Sequence, residues 1–145
     1  MSVIIRDAVT ADAPAIVALI RELAGSLNEV SPVTLAYVRT YLAFPGCGIL
    51  LAEDAGQITG LLSYSIRPNL YHNGDTAMIE ELVVDPAWRG QKIGSSLLEE
   101  VLSLLEALGC VEVSVTTLPD NEGAIRFYRA HGLVDEAVYL EKHFV

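Results

Sequence analysis

One short segment reads Glu81-Leu-Val-Val-Asp-Pro-Ala-Trp-Arg-Gly-Gln-Lys-Ile-Gly-Ser95. It starts as an apolar strand, which Asp85-Pro86 stops, and it ends at the beginning of a helix. The loop between them contains two basic residues, Arg89 and Lys92, and glycines that let a ligand approach the backbone. A helix N-terminus has unpaired N–H groups and the positive end of the helix dipole, so it attracts phosphate. The segment predicts a phosphate or pyrophosphate site, and a loop that only turns the chain is the alternative.

The elements on either side of this loop form a recognisable unit. The helix over Ile93–Leu108 has apolar residues at helical spacing on one face and charged or polar residues on the other, and Gly109 stops it. The strand Ala77–Val84 precedes the helix, and the alternating strand Val111–Thr117 follows it. A strand-helix-strand crossover makes its two strands parallel neighbours or near neighbours.

The rest of the chain alternates between helix and strand patterns without a linker or a repeat. We predict a strand at Val3–Asp7, a helix from an N-cap at Thr10 to Gly25, a weaker helix at Val33–Ala43, a hairpin of Ile49–Glu53 and Ile58–Ile66 across Ala55-Gly56, a loop at Pro68–Gly74, a helix at Asn121–His131 and a last strand at Val138–Phe144. The order β-α-α-β-β-β-α-β-α-β predicts an α/β (mixed-sheet α+β) fold, with residues 1–145 as a single domain.

Composition excludes several classes of protein. The chain is 52% apolar, which is too high for intrinsic disorder, and its 9 Lys and Arg against 19 Asp and Glu give a net charge of −10. This balance disfavours nucleic acid as a partner and suits a cationic one. We expect no signal peptide, membrane span or metal site, because no apolar run approaches about 18 residues and the His and Cys residues lack ligand spacing. The expected location is the cytoplasm.

Two motifs resemble those of the GNAT superfamily of N-acetyltransferases. The segment Arg89–Ser95 resembles the family's acetyl-CoA loop, Gln/Arg-x-x-Gly-x-Gly/Ala, with Lys92 where glycine is usual. That lysine keeps its backbone N–H and adds a cation for phosphate. The segment Asn121–Leu133 resembles the block Asn-x-x-Ala-x-x-Phe-Tyr-x-x-x-Gly-Phe, with Leu133 in place of the last Phe. The motifs stand in the family's order, separated by the predicted crossover, and the resemblance extends over the whole chain.

The resemblance implies acetyl-CoA as cosubstrate, lying between two central strands that splay apart at a bulge. The pantetheine would hydrogen-bond the strand backbone, and the pyrophosphate would lie over the loop. The cofactor-binding residues that it implies are Leu82, Val83, Val84, Arg89, Gly90, Gln91, Lys92, Ile93, Gly94, Ser95, Asn121, Ala124 and Tyr128.

Three residues are candidates for catalysis. The Tyr128 phenol could protonate a thiolate leaving group, although its spacing also suits an aromatic residue on the core face of a helix. Glu80 and Glu81 are adjacent carboxylates in an apolar strand, and either could take the proton of an ammonium substrate. Similarity to relatives favours Glu80, and Glu81 is a close second. Because successive strand residues face opposite ways, the strand cannot hide both from one groove, and we expect one of them near the cofactor-side face or paired in the interior.

The function predicted from this resemblance is direct transfer of acetyl from acetyl-CoA to a primary amine. The alternative is a non-catalytic acyl-CoA-binding or sensing module. The acceptor stays open among polyamines, amino acids, antibiotics and protein amines; the N-terminal sequence is somewhat similar to diamine acetyltransferases, and an acidic surface would suit such a cation. A homodimer is the common default for a small enzyme.

Overall fold

The protein is described here by a computed structural model that covers residues 3–134 and 137–145. Within those residues it forms five strands and four α-helices. These are β1 (Val3–Asp7), α1 (Ala13–Ser26), α2 (Leu35–Ala43), β2 (Cys47–Asp54), β3 (Gln57–Asn69), β4 (Gly74–Val84), α3 (Ile93–Ala107), β5 (Glu112–Val115) and α4 (Glu122–Ala130).

One mixed sheet holds the strands in their chain order, β1 to β5. The first four strands pair antiparallel, and β4 and β5 pair parallel from Thr76 opposite Glu112 to Ile79 opposite Val115. The connection from β4 through α3 to β5 is therefore the predicted crossover. The predicted mixed α/β fold is confirmed.

Each face of the sheet carries its own helices. On one face, α3 packs its apolar stripe against the centre of the sheet, with Leu97, Val101 and Leu105 fully buried. On the other face, α1 and α2 pack over the inner strands through Ile16 and Val38. Full burial of each large aliphatic side chain stabilises the fold by about 1.5–3 kcal/mol. Helices therefore cover both faces of the sheet, and a site on either face has the sheet as its floor.

The start of α1 differs from the predicted one. A 3-10 turn, Thr10–Asp12, precedes the helix, and the carboxylate of Asp12 accepts the N–H of Val9 at 2.8 Å. Arg6 of β1 donates two hydrogen bonds to that carboxylate, both 2.9 Å long, and contacts Glu53 of β2. The helix entry is thus fixed by an ion pair to the sheet, so Thr10 as N-cap was wrong. The helix also continues past Gly25.

The predicted last strand, Val138–Phe144, was also wrong. Residues 137–145 have no regular secondary structure, and Val138, Leu140 and Phe144 are more than four-fifths exposed. Alternating apolar residues make a strand only where an edge and a core face receive them, and this segment joins neither within the described chain. The predicted loop Pro68–Gly74 is shorter than expected, since β3 and β4 continue up to residues 69 and 74.

None of the helices in the described residues combines the length and the apolar character needed to cross a bilayer.

Candidate functional site

A gap opens in the sheet where β5 ends. The strand β4 stays paired with β3 as far as Val84, but its pairing with β5 stops at Ile79. The edge of β4 beyond that point has no strand beside it within the described residues. This is the splay implied by the family resemblance.

Backbone groups of β4 point into the gap at alternate residues. The N–H of Asp85 donates to the Thr59 carbonyl of β3, and Arg89 Nε donates to the Val84 carbonyl at 3.2 Å from the opposite side. Because strand residues alternate in the edge that their N–H and C=O groups face, Leu82 and Val84 face the gap and Val83 faces β3. Val83 also buries its side chain under α1. The backbone groups of Leu82 and the N–H of Val84 are thus available to an extended amide-bearing ligand, whereas the Val84 carbonyl already accepts Arg89 Nε.

The glycine-containing loop lies at one end of this gap and forms a shallow concavity of about 260 Å³ with the start of α3. Lys92 is the N-cap of α3 and adopts a left-handed conformation, φ +62°. No side chain caps the helix, so the N–H groups of its first turn are available to an anion. The left-handed φ explains why the family favours glycine there. The concavity is lined by Val84, Trp88, Arg89, Gly90, Lys92, Ile93, Gly94, Ser95 and Phe127.

Gly94 leaves room for a ligand without being required by the protein's own packing. A Cβ built on it would approach Phe127 of α4 no closer than 3.7 Å, an ordinary contact. The chain's own packing therefore does not require a glycine at this position. Gln91, the other loop residue of the predicted set, is exposed and does not line the concavity.

A β-bulge places both carboxylates on one side of β4. Ser63 of β3 lies opposite Glu81, and the next residue, Tyr64, lies opposite Ile79, so Glu80 is an extra residue in the strand. An extra residue interrupts alternation and re-aims side chains. Glu80 and Glu81 consequently line the same cavity, which regular alternation along the strand would not allow.

The cavity has a volume of about 560 Å³ and lies between the sheet and the helices α1 and α2. Its floor carries the two carboxylates. The remaining lining is mostly apolar, with two tyrosines and a few hydroxyls: Ile16, Ile20, Ser31, Pro32, Val33, Thr34, Tyr37, Val38, Tyr41, Ile49, Leu61 and Ser63. A concave, mainly apolar site with few convergent polar groups is the usual form of a small-molecule site.

The two carboxylates have different surroundings. Glu81 is half-buried, and its pKa is raised overall, chiefly because of that burial. A hydrogen bond from Ser63 acts in the opposite direction, and the charge of Glu80 adds to the increase. Glu80 is exposed, and its carboxylate accepts the hydroxyl of Ser65 at 2.8 Å. The Tyr41 hydroxyl donates to the Tyr64 carbonyl at 2.8 Å, and burial raises its pKa, with both carboxylates adding to the effect. Glu81 is therefore a half-buried carboxylate with a raised pKa on the floor of the cavity.

Tyr128 lies on α4, half-buried at the edge of the core that α3 forms with the sheet. Burial raises the pKa of its phenol, which keeps the proton available for donation at neutral pH. Asn121 is the N-cap of α4, and its side-chain oxygen accepts the N–H of Ala124 at 3.1 Å. That bond occupies the Ala124 N–H, so Asn121 caps the helix and its amide NH₂ is the part left for a ligand.

Sequence reasoning missed Ser63, Ser65 and Tyr41. The two serines stand at alternate positions in an otherwise apolar strand, and this period of two was a readable signal for polar groups on one face beside the carboxylates. Tyr41 carries no such signal, because its reach to the sheet depends on how α2 packs. Within the described residues, no group of three or more His, Cys, Asp or Glu is arranged to hold a metal ion.

Comparison with known proteins agrees with this geometry. The model of the Acetyltransferase (GNAT) family matches residues 16–133. The aminoalkylphosphonate N-acetyltransferase of Salmonella typhimurium is 31% identical over 97% of this chain and 86% of its own length. The glucosamine 6-phosphate N-acetyltransferase of Trypanosoma brucei brucei is 30% identical over 77% of this chain and 78% of its own.

Among solved structures, one called a transcriptional regulator from Bacillus halodurans C-125 superimposes with a TM-score of 0.86. It is 28% identical and covers 98% of this chain and 99% of its own. The family match spans most of the chain, and relatives with named acetyltransferase activity align over nearly all of it. The chain therefore belongs to the GNAT family of acetyltransferases, enzymes that use acetyl-CoA as cosubstrate.

Proposed function

We propose that this protein transfers an acetyl group directly from acetyl-CoA to a primary amine, with Glu81 as proton acceptor and Tyr128 as proton donor. The observation that carries the proposal is the bulge of β4. It brings two carboxylates to the floor of the cavity, on the strand whose open edge begins at the same point.

The proposed binding site for acetyl-CoA combines the first turn of α3, two basic side chains and the open edge of β4. The uncapped first turn of α3, together with Arg89 and Lys92, suits the pyrophosphate. The open edge at Leu82 and Val84 suits the amide groups of the pantetheine arm. When bound, acetyl-CoA supplies the acetyl thioester whose carbon the amine attacks.

The proposed chemistry needs one proton removed and one delivered. An alkylamine is protonated at neutral pH, and Glu81, directly or through a water molecule, takes the proton that frees its lone pair. The nitrogen–carbon bond forms as the carbon–sulfur bond breaks. Tyr128 donates its phenolic proton to the thiolate that leaves. The N–H groups at the open edge of β4 are suited to the charge that develops on the carbonyl oxygen.

A non-catalytic acyl-CoA sensor is the second candidate, and the name of the Bacillus halodurans neighbour favours it. The two candidates differ in turnover. We would incubate the protein with acetyl-CoA and a panel of primary amines, following thiol release and confirming the amide by mass spectrometry. Matched N,N-dimethyl amines are the control, because they carry the same charge and form no stable amide.

Thiol release with primary amines alone supports the enzyme. Saturable binding of acetyl-CoA without acetylation of any amine in the panel would favour the sensor instead. The homodimer and the cytoplasmic location expected from the sequence stay predictions.

A further inference from the structure

The cavity lined by Glu80 and Glu81 is the proposed acceptor site, and its walls differ from its floor in charge. The two carboxylates, Glu80 and Glu81, lie at the sheet, whereas α1, α2 and the loop between them supply the walls. Those walls are chiefly aliphatic, with Ile16, Ile20 and Val38 as examples. A ligand that fills the cavity therefore meets negative charge at one end and apolar surface along the rest.

Positive charge is missing from this lining. None of the described residues that line the cavity is Lys, Arg or His, so a phosphate, phosphonate or carboxylate on the ligand would find no cationic partner there. Such a group would also face two like charges at the floor, which opposes binding. Relatives of this chain are named for aminoalkylphosphonate and glucosamine 6-phosphate, both of which carry an anionic group.

The walls also lack a charged partner for a second cation on the ligand. The two carboxylates are adjacent in sequence on one bulge, so they can pair with one ammonium group between them. Apart from the two carboxylates, the polar side chains of the lining are hydroxyls, those of Ser31, Thr34, Tyr37, Tyr41 and Ser63. Moving an ammonium group of a diamine into that apolar part costs its hydration without an ion pair in return.

We propose that the acceptor is a primary monoamine with an apolar or aromatic tail and no anionic group. The acetylation of such an amine rests on the proposed function, whereas the binding preference rests only on the lining of the cavity. The ammonium group lies at Glu80 and Glu81, and the tail lies along the walls formed by α1, α2 and their connecting loop.

Three six-carbon amines test the tail directly: hexylamine, 6-aminohexanoate and 1,6-diaminohexane. They share one reacting ammonium group and differ in the far end. We expect hexylamine to have a kcat/KM at least tenfold above either charged analogue. Shortening the tail from hexyl to propyl should lower kcat/KM by about two- to fourfold per methylene, because each buried methylene contributes to binding.

A pair of variants places a cation inside or outside the cavity. Val33 is half-buried in the loop before α2 and lines the cavity, whereas Val30 is 94% exposed in the same loop and does not. We expect Val33→Arg to shift the kcat/KM ratio of 6-aminohexanoate to hexylamine upward by tenfold or more. Val30→Arg adds the same charge and should leave that ratio within about twofold.

Binding is measured in parallel by calorimetry with coenzyme A present, so that the preference is tested even without turnover. Equal or better binding of 6-aminohexanoate or diaminohexane would overturn the inference, and turnover of either would leave the acetyltransferase itself intact. Selective binding of hexylamine with no acetylation would overturn the proposed reaction and keep the ligand class. Equal ratio changes in the two variants would also overturn the inference.

Discussion

Ser63 and Glu81 form two hydrogen bonds with each other across the β3–β4 pair. The Ser63 hydroxyl donates to the Glu81 carboxylate, and the same oxygen accepts the Glu81 backbone N–H at 3.0 Å. The contact stands at the bulge, where the strand needs a partner for an N–H displaced from the regular ladder. One serine thus supports both the distorted backbone and the orientation of the carboxylate.

Glu81→Gln removes the proposed proton acceptor with almost no change in shape. We expect kcat/KM for a primary amine to fall by about a hundred- to ten-thousandfold, the usual contribution of a positioned acid or base. Glu80→Gln is the matched control on the neighbouring residue and should cost less than tenfold, because Glu80 is exposed. A larger loss in Glu80→Gln would transfer the role to Glu80.

The pH profile of the wild type and two variants tests the surroundings of Glu81. The base must be ionised to act, so a raised pKa places the acidic limb of kcat/KM above the pH at which an ordinary glutamate titrates. Ser63→Ala removes a bond that lowers this pKa, so the limb should move to higher pH. Glu80→Gln removes a charge that raises it, so the limb should move to lower pH. Shifts in the same direction would contradict the assignment.

Tyr128→Phe removes one hydroxyl from α4. Because burial keeps the phenol protonated, the variant should lose the proton delivered to the leaving thiolate, and kcat should fall by about a hundredfold or more. The dissociation constant for coenzyme A, measured by calorimetry, should change by less than about twofold. Tyr71→Phe makes the same change in the exposed β3–β4 turn and should keep full activity. Unchanged kcat in Tyr128→Phe would leave Tyr128 a packing residue.

The parts of this fold that could be predicted are those that depend only on the local sequence pattern. The stripe of α3 and its stop at Gly109 follow from helical spacing and a left-handed glycine, and the crossover to β5 follows from the order of elements. The glycine-containing loop before α3 was predictable for the same reason, because it ends at the first turn of one helix, and phosphate binding there stays a prediction.

The features that were missed depend on how distant segments meet. The family resemblance implied a bulge, but its position is set by the register between β3 and β4, so alternation along β4 alone did not place both carboxylates on one side. The cavity depends on the packing of α1 and α2, and therefore Tyr41 gave no signal. In contrast, Val138–Phe144 has a strand pattern and no strand partner among the described residues.

Gly94→Ala tests whether a phosphate-bearing ligand approaches the first turn of α3. The new methyl group meets no closer protein atom than 3.7 Å, so the fold should be retained and stabilised by about 0.5–1 kcal/mol. Affinity for coenzyme A should nevertheless fall by tenfold or more. Gly25→Ala, in α1 with open space around it, should give a similar stability gain with unchanged affinity. Equal affinities in the two variants would place the phosphates elsewhere.

The ion pair that fixes the start of α1 gives a pH-dependent stability. Hydrogen bonds from Arg6 lower the pKa of Asp12, so its contribution is present above the pH where an unfolded aspartate titrates and is lost as pH falls through the depressed pKa. Asp12→Asn should lower the free energy of unfolding by about 1.5–3 kcal/mol at pH 7, measured with urea, since bonds to a charged group are lost. The difference between variant and wild type should shrink progressively below about pH 4.

Glu106→Gln, on the exposed side of α3, is the control and should change stability by less than about 0.5 kcal/mol both at pH 7 and below pH 4. A deficit in Asp12→Asn that stays constant with pH would mean that the side chain acts through its uncharged hydrogen bonds alone.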